Sequence, residues 1–280
     1  MAKKTEQDPD VELVWRTYLM TGGFPEHLRQ DWFEWKIWRP LVRRLPHNPR
    51  CRICYYPFEK IGGWLSKSLL GVEPSKMNPQ LCNTCERFAD RFRGGTELEI
   101  SMLFADVRGS TSLAEGISPI EFSRQINRFY KAVTDVLFDT NAFVEKLIGD
   151  EVVGFYVPGF AGQNHAQVAV AAAKKILIKT GHKDSSGPWI PVGIGVHTGV
   201  AYVGSVEVAE GISDIAILGD AVNTTARLTS QAEPGEVVIS EASRLAAGLE
   251  SEGMQSRQFN LKGKNEIVDA WVLSVMRKEA

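Results

Sequence analysis

From Leu98 onward the sequence alternates apolar runs of strand length with segments of helical period, and this order constrains the fold more than any single residue does. LEISMLFADV reads as a strand ending near Asp106. Ser118-Pro119 then opens a helix, with a serine cap and proline at the first position. Phe122, Ile126, Phe129, Val133 and Val136 give that helix one apolar face. In VEKLIGDEVVGFYV, two runs flank a Gly149-Asp150 turn of the kind that joins antiparallel strands. An alanine-rich helix from His165, the strand-rich WIPVGIGVHTGVAYVGSV and a strand running into a helix in DIAILGDAVNTTARL follow. VVIS, a further helix and the closing pair FNLKGKNEIVDAWVL come last. Hairpins and helices in this mix predict an α+β sandwich whose sheet is largely antiparallel.

The 280 residues are 44% hydrophobic and 24% charged, ordinary values for a globular chain that buries a sizeable core. No uninterrupted apolar run approaches the roughly 20 residues that span a bilayer, and no apolar segment follows the lysines of MAKKTEQDPD. The expectation is a cytoplasmic protein. The net charge of −2 hides an asymmetry: residues 1–95 carry 16 Lys+Arg against 11 Asp+Glu, and residues 96–280 carry 16 against 23. All four cysteines and five of the seven tryptophans also lie in the front third, which sets a boundary near Arg93-Gly94-Gly95-Thr96. We expect an amphipathic helical region over 1–50, a four-cysteine module over 51–95 and a larger domain over 96–280.

Cys51 and Cys54, then Cys82 and Cys85, form two C-x2-C pairs, each of which fits a tight turn presenting both sulfurs to one metal. The spacing predicts one structural zinc per chain. An iron or iron–sulfur site and unliganded redox cysteines are the alternatives, and disulfides suit a cytoplasmic chain less well. The Gly-, Pro- and Lys-rich segment between the pairs is poor in apolar residues, and a structural metal contributes on the order of 10 kcal/mol to such modules. Ahead of them, VELVWRTYLM and DWFEWKIWRPLVRRL predict two short amphipathic helices. Lys36 to Arg52 holds six basic residues and no acidic one. A tryptophan face packed on protein is the leading reading of that stretch. An anionic membrane surface or nucleic acid is the alternative partner.

Lys146 and Asp150 stand in an apolar hairpin, where Asp is also an ordinary turn residue, so a plain hairpin is one reading and a chemical role needs a second carboxylate. A second carboxylate, Asp106, ends a strand before Val107-Arg108-Gly109-Ser110-Thr111, whose small residues leave backbone N–H groups free to face phosphates. If that strand neighbours the hairpin, Asp106 and Asp150 converge on one point. Hard divalent cations prefer such oxygen ligands, and paired metals suit in-line displacement at phosphorus.

Order and spacing identify the pattern. FADVRGST, then KLIGDEVV with 44 residues from aspartate to aspartate, GVHTGVAYVGSV, LGDAVNTTARL and LKGK together resemble the class III nucleotide cyclase catalytic domain over about residues 96–275. The resemblance implies the ferredoxin-like cyclase sandwich, preceded here by the small metal-stapled module. It implies that Asp106 and Asp150 hold two Mg2+ or Mn2+ per active site, with the Val107 backbone beside them, and that Gly109, Ser110 and Thr111 hold the β- and γ-phosphates. Lys146 would read the purine, Asn223 would orient the ribose, and Arg227 would stabilise charge developing on the α-phosphate. Lys262 would contact phosphate, with Lys264 a substitute.

In the family, two domains pair head to tail and share their sites. A chain holding both sets of residues in one domain is therefore expected to form a homodimer with two equivalent sites. The implied reaction is ATP to 3′,5′-cyclic AMP and pyrophosphate, under a regulator that the sequence does not name. Two positions depart from the pattern. Ser110 stands where the family usually has Phe, and Ala216 stands where adenine-specific members carry Asp or Thr, with Asp214 two residues earlier. Relaxed or guanine or pyrimidine specificity, and a weakly active or non-catalytic nucleotide-binding homologue, are the competing readings. His197 and His165 are expected to be structural.

Overall fold

The computed structural model describes residues 10–23, 25, 49–76, 80–209, 212–252, 254–259 and 268–275. Its contacts divide the chain into two compact units, Met1–Leu98 with Tyr202–Ile217, and Glu99–Ala201 with Leu218–Ala280.

In the first unit, helix α1 (Val11–Thr21) starts where the Asp10 carboxylate accepts from the Leu13 N–H at 3.2 Å, and it stops at Gly22 in the left-handed conformation. Its buried face carries Val14, Trp15, Tyr18 and Leu19. Helices α2 (Lys60–Leu70) and α3 (Asn83–Arg91) follow. Trp15 packs edge-on to Phe88 with centroids 4.9 Å apart and donates its indole N–H to the Phe92 carbonyl at 2.8 Å. This satisfies the polar edge of a side chain that is otherwise fully buried. The first expected amphipathic helix is thus present. The second, in DWFEWKIWRPLVRRL, and most of the basic stretch lie outside the described residues.

Among the described residues, eight strands form one sheet: β1 (Gly95–Val107), β2 (Phe143–Ile148), β3 (Glu151–Tyr156), β4 (Val192–Ala209), β5 (Ile212–Leu218), β6 (Glu236–Ser240), β7 (Gln255–Phe259) and β8 (Val268–Ser274). Their order is β2-β3-β1-β4-β6-β8-β7, with β5 paired to β4. β1 and β2 each run antiparallel to β3, and β6 and β7 each run antiparallel to β8. β4 and β6 are parallel, with Ile194 opposite Val237. The sheet is therefore mixed and largely antiparallel, as expected.

The second unit adds helices α4 (Ser110–Gly116), α5 (Pro119–Asp139), α6 (Pro158–Ala161), α7 (His165–Lys179), α8 (Asp220–Ser230) and α9 (Glu241–Ala246). Ser118 and Glu121 close a reciprocal capping box at the start of α5. Phe129, Val133 and Leu137 of α5 meet Ala169, Ala173 and Ile176 of α7 over Val152, Tyr156, Ile194 and Ile239 of the sheet. Each large apolar side chain buried there contributes roughly 1.5–3 kcal/mol. Gly195 lets α8 lie close on β4, since an added Cβ would sit 2.3 Å from Thr229 Oγ1 and 2.5 Å from its backbone nitrogen. That contact fixes the helix carrying Asn223 and Arg227.

Candidate active site

β1 delivers Asp106 beside the β2–β3 turn. Asp106 is the antiparallel partner of Glu151, and the Val107 N–H donates to the Asp150 carbonyl at 3.1 Å. The convergence expected from the sequence is therefore present. The turn itself needs Gly149, at φ 59°, and is held from outside by the Tyr130 hydroxyl, which donates to the Gly149 carbonyl at 2.6 Å.

Glu151 adds a third carboxylate to this region, opposite Asp106 across the β1–β3 ladder. Burial pushes Asp106 above the ordinary carboxylate range, with Asp150 adding to the rise and the Arg108 guanidinium opposing it. Glu151 is raised by burial and by the charges of Asp106 and Asp150. Arg108 forms an ion pair with Asp106, and its Nε is buried without a hydrogen-bond partner among the described residues. Partly buried carboxylate oxygens of this kind fit a hard divalent cation. Asp106 and Asp150, flanked by Glu151, are the residues able to hold one.

Gly109, left-handed at φ 66°, turns the chain after Val107 and leads into α4. Ser110 and Thr111 then line a cavity of about 740 Å³ together with Phe122, Tyr130, Gly149 and Asp150. Ser110, where the family pattern has Phe, is thus part of the cavity wall.

Lys146 lies on β2 with its side chain half exposed, and its ammonium sits 2.7 Å from the carboxylate of Glu145. A bulge between Val144 and Lys146 breaks the strict alternation, so Val144 and Glu145 are both buried and Lys146 faces out. Asn223 and Arg227 occupy α8, four residues apart on one face. Asn223 is exposed and Arg227 half-buried. Arg227 Nη1 is buried with no hydrogen-bond partner among the described residues. Neither residue bonds to Asp106 or Asp150 among the described residues. In β5, Ala216 is buried, and the Asp214 carboxylate accepts from the Ile215 N–H at 2.9 Å. Lys262 and Lys264 lie outside the described residues. His165 bonds Ser101 through Nδ1 at 2.9 Å and His197 bonds Ser240 at 2.7 Å, so both tie backbone elements together.

Glu151, Glu145, Arg108 and Tyr130 were not singled out by sequence. Glu151 follows Asp150 in GDEVV and faces Ile148 in the hairpin, but its place opposite Asp106 comes from the non-local β1–β3 pairing. The bulge that buries Glu145 and the aromatic brace from α5 leave no local signature.

Cys51, Cys54, Cys82 and Cys85 are all buried, and their Sγ atoms lie within 4.8 Å of one another. Burial pushes the Cys54 and Cys85 thiols well up. For Cys51, burial is outweighed by hydrogen bonds from Cys54, Cys82 and Cys85, which hold it well below the usual thiol range. Four buried thiolates would require a cation to compensate their charge. The cluster fits a thiolate-bound metal.

Comparison with known proteins agrees with this geometry. Residues 95–274 match the model of the adenylate and guanylate cyclase catalytic domain. An adenylate cyclase of Anabaena cylindrica is 28% identical over 61% of this chain and 36% of its own length. The receptor-type guanylate cyclase gcy-6 of Caenorhabditis elegans is 26% identical over 67% of this chain and 18% of its own. The chain thus spans about a third or less of these two curated relatives. Among solved structures, the guanylyl cyclase Cya2 superposes with a TM-score of 0.59 at 25% identity, covering 66% of this chain and 96% of that one. The adenylyl cyclase CyaB from P. aeruginosa has the same fold at a TM-score of 0.55 and 22% identity, covering 66% and 97%. No helix among the described residues is long and apolar enough to cross a membrane. With the match covering most of the chain and the paired aspartates brought together within it, the protein belongs to the adenylate and guanylate cyclase catalytic-domain family.

Proposed function

We propose that this chain converts ATP to 3′,5′-cyclic AMP and pyrophosphate in composite sites of a homodimer. The observation that carries the reading is the juxtaposition of Asp106 and Asp150, tied by the Val107–Asp150 hydrogen bond beside the Gly109–Thr111 turn. Asp106 and Asp150 would hold two Mg2+ or Mn2+ ions. Bound there, the ions supply Lewis-acid polarisation that favours loss of the ribose 3′-hydroxyl proton and neutralises the leaving pyrophosphate.

The chain's own groups do the rest. Backbone N–H groups of Gly109 to Thr111 orient the β- and γ-phosphates, those of Val107 and Arg108 being engaged by the Asp150 and Pro191 carbonyls, and the cavity wall of Phe122 and Tyr130 restricts water. Lys146 donates to the purine, Asn223 orients the ribose, and Arg227 meets the charge growing on the α-phosphate. The 3′-oxygen forms its bond to the α-phosphorus as the bond from that phosphorus to the bridging oxygen breaks, and the 3′ proton passes to solvent. Lys262 serves as a further phosphate contact. Among the described residues, Arg227 Nη1 is buried without a hydrogen-bond partner and neither Asn223 nor Arg227 bonds to the aspartates, which supports sites completed by a second copy.

GTP is the second reading, favoured by one observation. Ala216 offers no side-chain acceptor to the exocyclic amine of adenine, and Asp214, two residues away, already accepts from Ile215. Lys146 donates equally to adenine N1 or guanine O6. Relatives of both specificities resemble the chain. Competing ATP and GTP with Mn2+ in one reaction, with both cyclic products measured by mass, tests the reading. Mostly cyclic AMP supports it, and mostly cyclic GMP replaces it.

A further inference from the structure

Two features of the first unit stand apart from the metal-binding aspartates: the buried cysteine cluster and the hairpin arm formed by the distal part of β4 with β5. They lie at the two ends of one chain of short contacts. Cys54 Sγ and Cys82 Sγ are 3.5 Å apart, and all four sulfurs fall within 4.8 Å. Four sulfurs at about 2.3 Å from one tetrahedral zinc stand about 3.8 Å from each other. The observed spacing suits a single ion, whereas an iron–sulfide cluster holds its cysteines further apart. The Cys82 N–H donates to Cys51 Sγ and the Cys85 N–H to Cys82 Sγ, both at 3.3 Å, which aims backbone dipoles at sulfur that carries negative charge.

Cys82 is also the cap of α3, and Cys85 lies in its first turn. From its last turn the chain passes through Phe92, whose carbonyl is held by Trp15, into Arg93, Gly94 and Gly95. There the hairpin arm is clamped. The Ser205 N–H donates to the Gly94 carbonyl at 2.7 Å, and Arg93 pairs with Glu207 at 3.8 Å. The backbones approach so closely that only glycine fits: a Cβ on Gly95 would lie 2.4 Å from the Val203 carbonyl oxygen, and one on Gly204 would lie 2.4 Å from that of Gly94. Val203 and Gly204 are buried.

We propose that one zinc ion held by Cys51, Cys54, Cys82 and Cys85 fixes α3 and the Arg93–Gly95 turn, and that this turn sets the position of the β4–β5 arm bearing Asp214 and Ala216. Metal occupancy thereby governs the order of that arm. The proposal rests on the cyclase reading only in treating Ala216 as a base-facing position. The metal and the clamp are independent of it.

The test uses the full chain, with metal analysis and backbone hydrogen exchange over residues 202–217, and with α7 as internal reference. Wild type should hold about one zinc per chain, with the arm protected. Cys54→Ser should lose the zinc, and Gly204→Ala should keep it; both should lose protection in the arm by about tenfold or more while α7 keeps its own. Should Cys54→Ser also lose α7 protection, removing zinc from wild type with a chelator and restoring it must open and reclose the arm. Asp150→Asn should keep both zinc and arm protection, so failure of the cyclase reading leaves these results standing. Iron in place of zinc, no metal in reduced protein from zinc-supplemented growth, or an arm whose protection ignores zinc removal overturns the proposal.

Discussion

The Val107 N–H donates to the Asp150 carbonyl at 3.1 Å, and this bond joins the end of β1 to the β2–β3 turn at the point where the two aspartates meet. It crosses between segments 43 residues apart, so the site is specified by strand pairing rather than by a loop. Asp106 and Glu151 are both held above the ordinary carboxylate range, chiefly by burial. A divalent cation would relieve that crowding.

Asp150→Asn keeps the shape of the turn and removes the charge. Cyclase activity should fall by about a hundredfold or more, the scale of losing a central electrostatic contact. The thermal midpoint should change little or rise, because the Asp150 charge that opposes ionisation of Asp106 and Glu151 is gone. Activity within a few fold of wild type contradicts the metal assignment.

Tyr130→Phe removes the hydroxyl that braces Gly149 at 2.6 Å while leaving the ring in the cavity wall. One such hydrogen bond is worth about 0.5–1.5 kcal/mol net, so activity should fall by a few fold to about tenfold. The loss should be in kcat more than in KM, since the bond positions a metal ligand. Unchanged kcat would show that the turn is held adequately by its own hairpin.

Much of this was legible in the sequence, and the reasons are physical. Gly149-Asp150 and Ser118-Pro119 are local signals, and each appears where strand period, cap chemistry or turn geometry placed it; of the five spaced motifs, LKGK lies outside the described residues. What escaped is tertiary. Gly94 and Gly95 read as a boundary, yet with Gly204 they allow a backbone crossing. The burial of Glu145 depends on a bulge in β2, and the Arg108–Asp106 pair is a side-chain contact that no strand or helix period encodes. Pattern counting cannot anticipate such long-range contacts.

Stability should fall in mild acid. His182 Nε2 accepts from the Val192 N–H at 3.3 Å while its Nδ1 lies 3.1 Å from the Leu177 carbonyl, an arrangement that requires the neutral ring. Burial lowers His182, opposed by the Leu177 bond, and lowers His165, opposed by Glu99, both from 6.5. The unfolded chain therefore binds protons first as pH falls. Stability is full above about 6.5 and declines below it until the folded-state pKa values are passed, at up to about 1.4 kcal/mol per pH unit for each histidine. Urea midpoints between about pH 7.5 and 5.5 should drop, and less steeply in His182→Gln. A flat profile contradicts the neutral assignment.

Mixing two dead variants tests the shared site. Asp150→Asn and Arg227→Ala chains are each expected to be inactive, but a mixed dimer gathers both lesions in one site and leaves the other intact. After exchange of subunits, confirmed by mass on differently tagged chains, activity should return to at most about a quarter of wild type, since half the dimers are mixed and each has one good site. No recovery despite exchange contradicts composite sites.

The most direct measurement is the product balance on ATP with Mn2+. Purified full chain should release cyclic AMP and pyrophosphate in equal amounts, identified by mass and by enzymatic assay, with neither formed by Asp106→Asn or Asp150→Asn. Formation of ADP and phosphate instead, or no turnover of any nucleoside triphosphate by a folded, dimeric protein, would contradict the account.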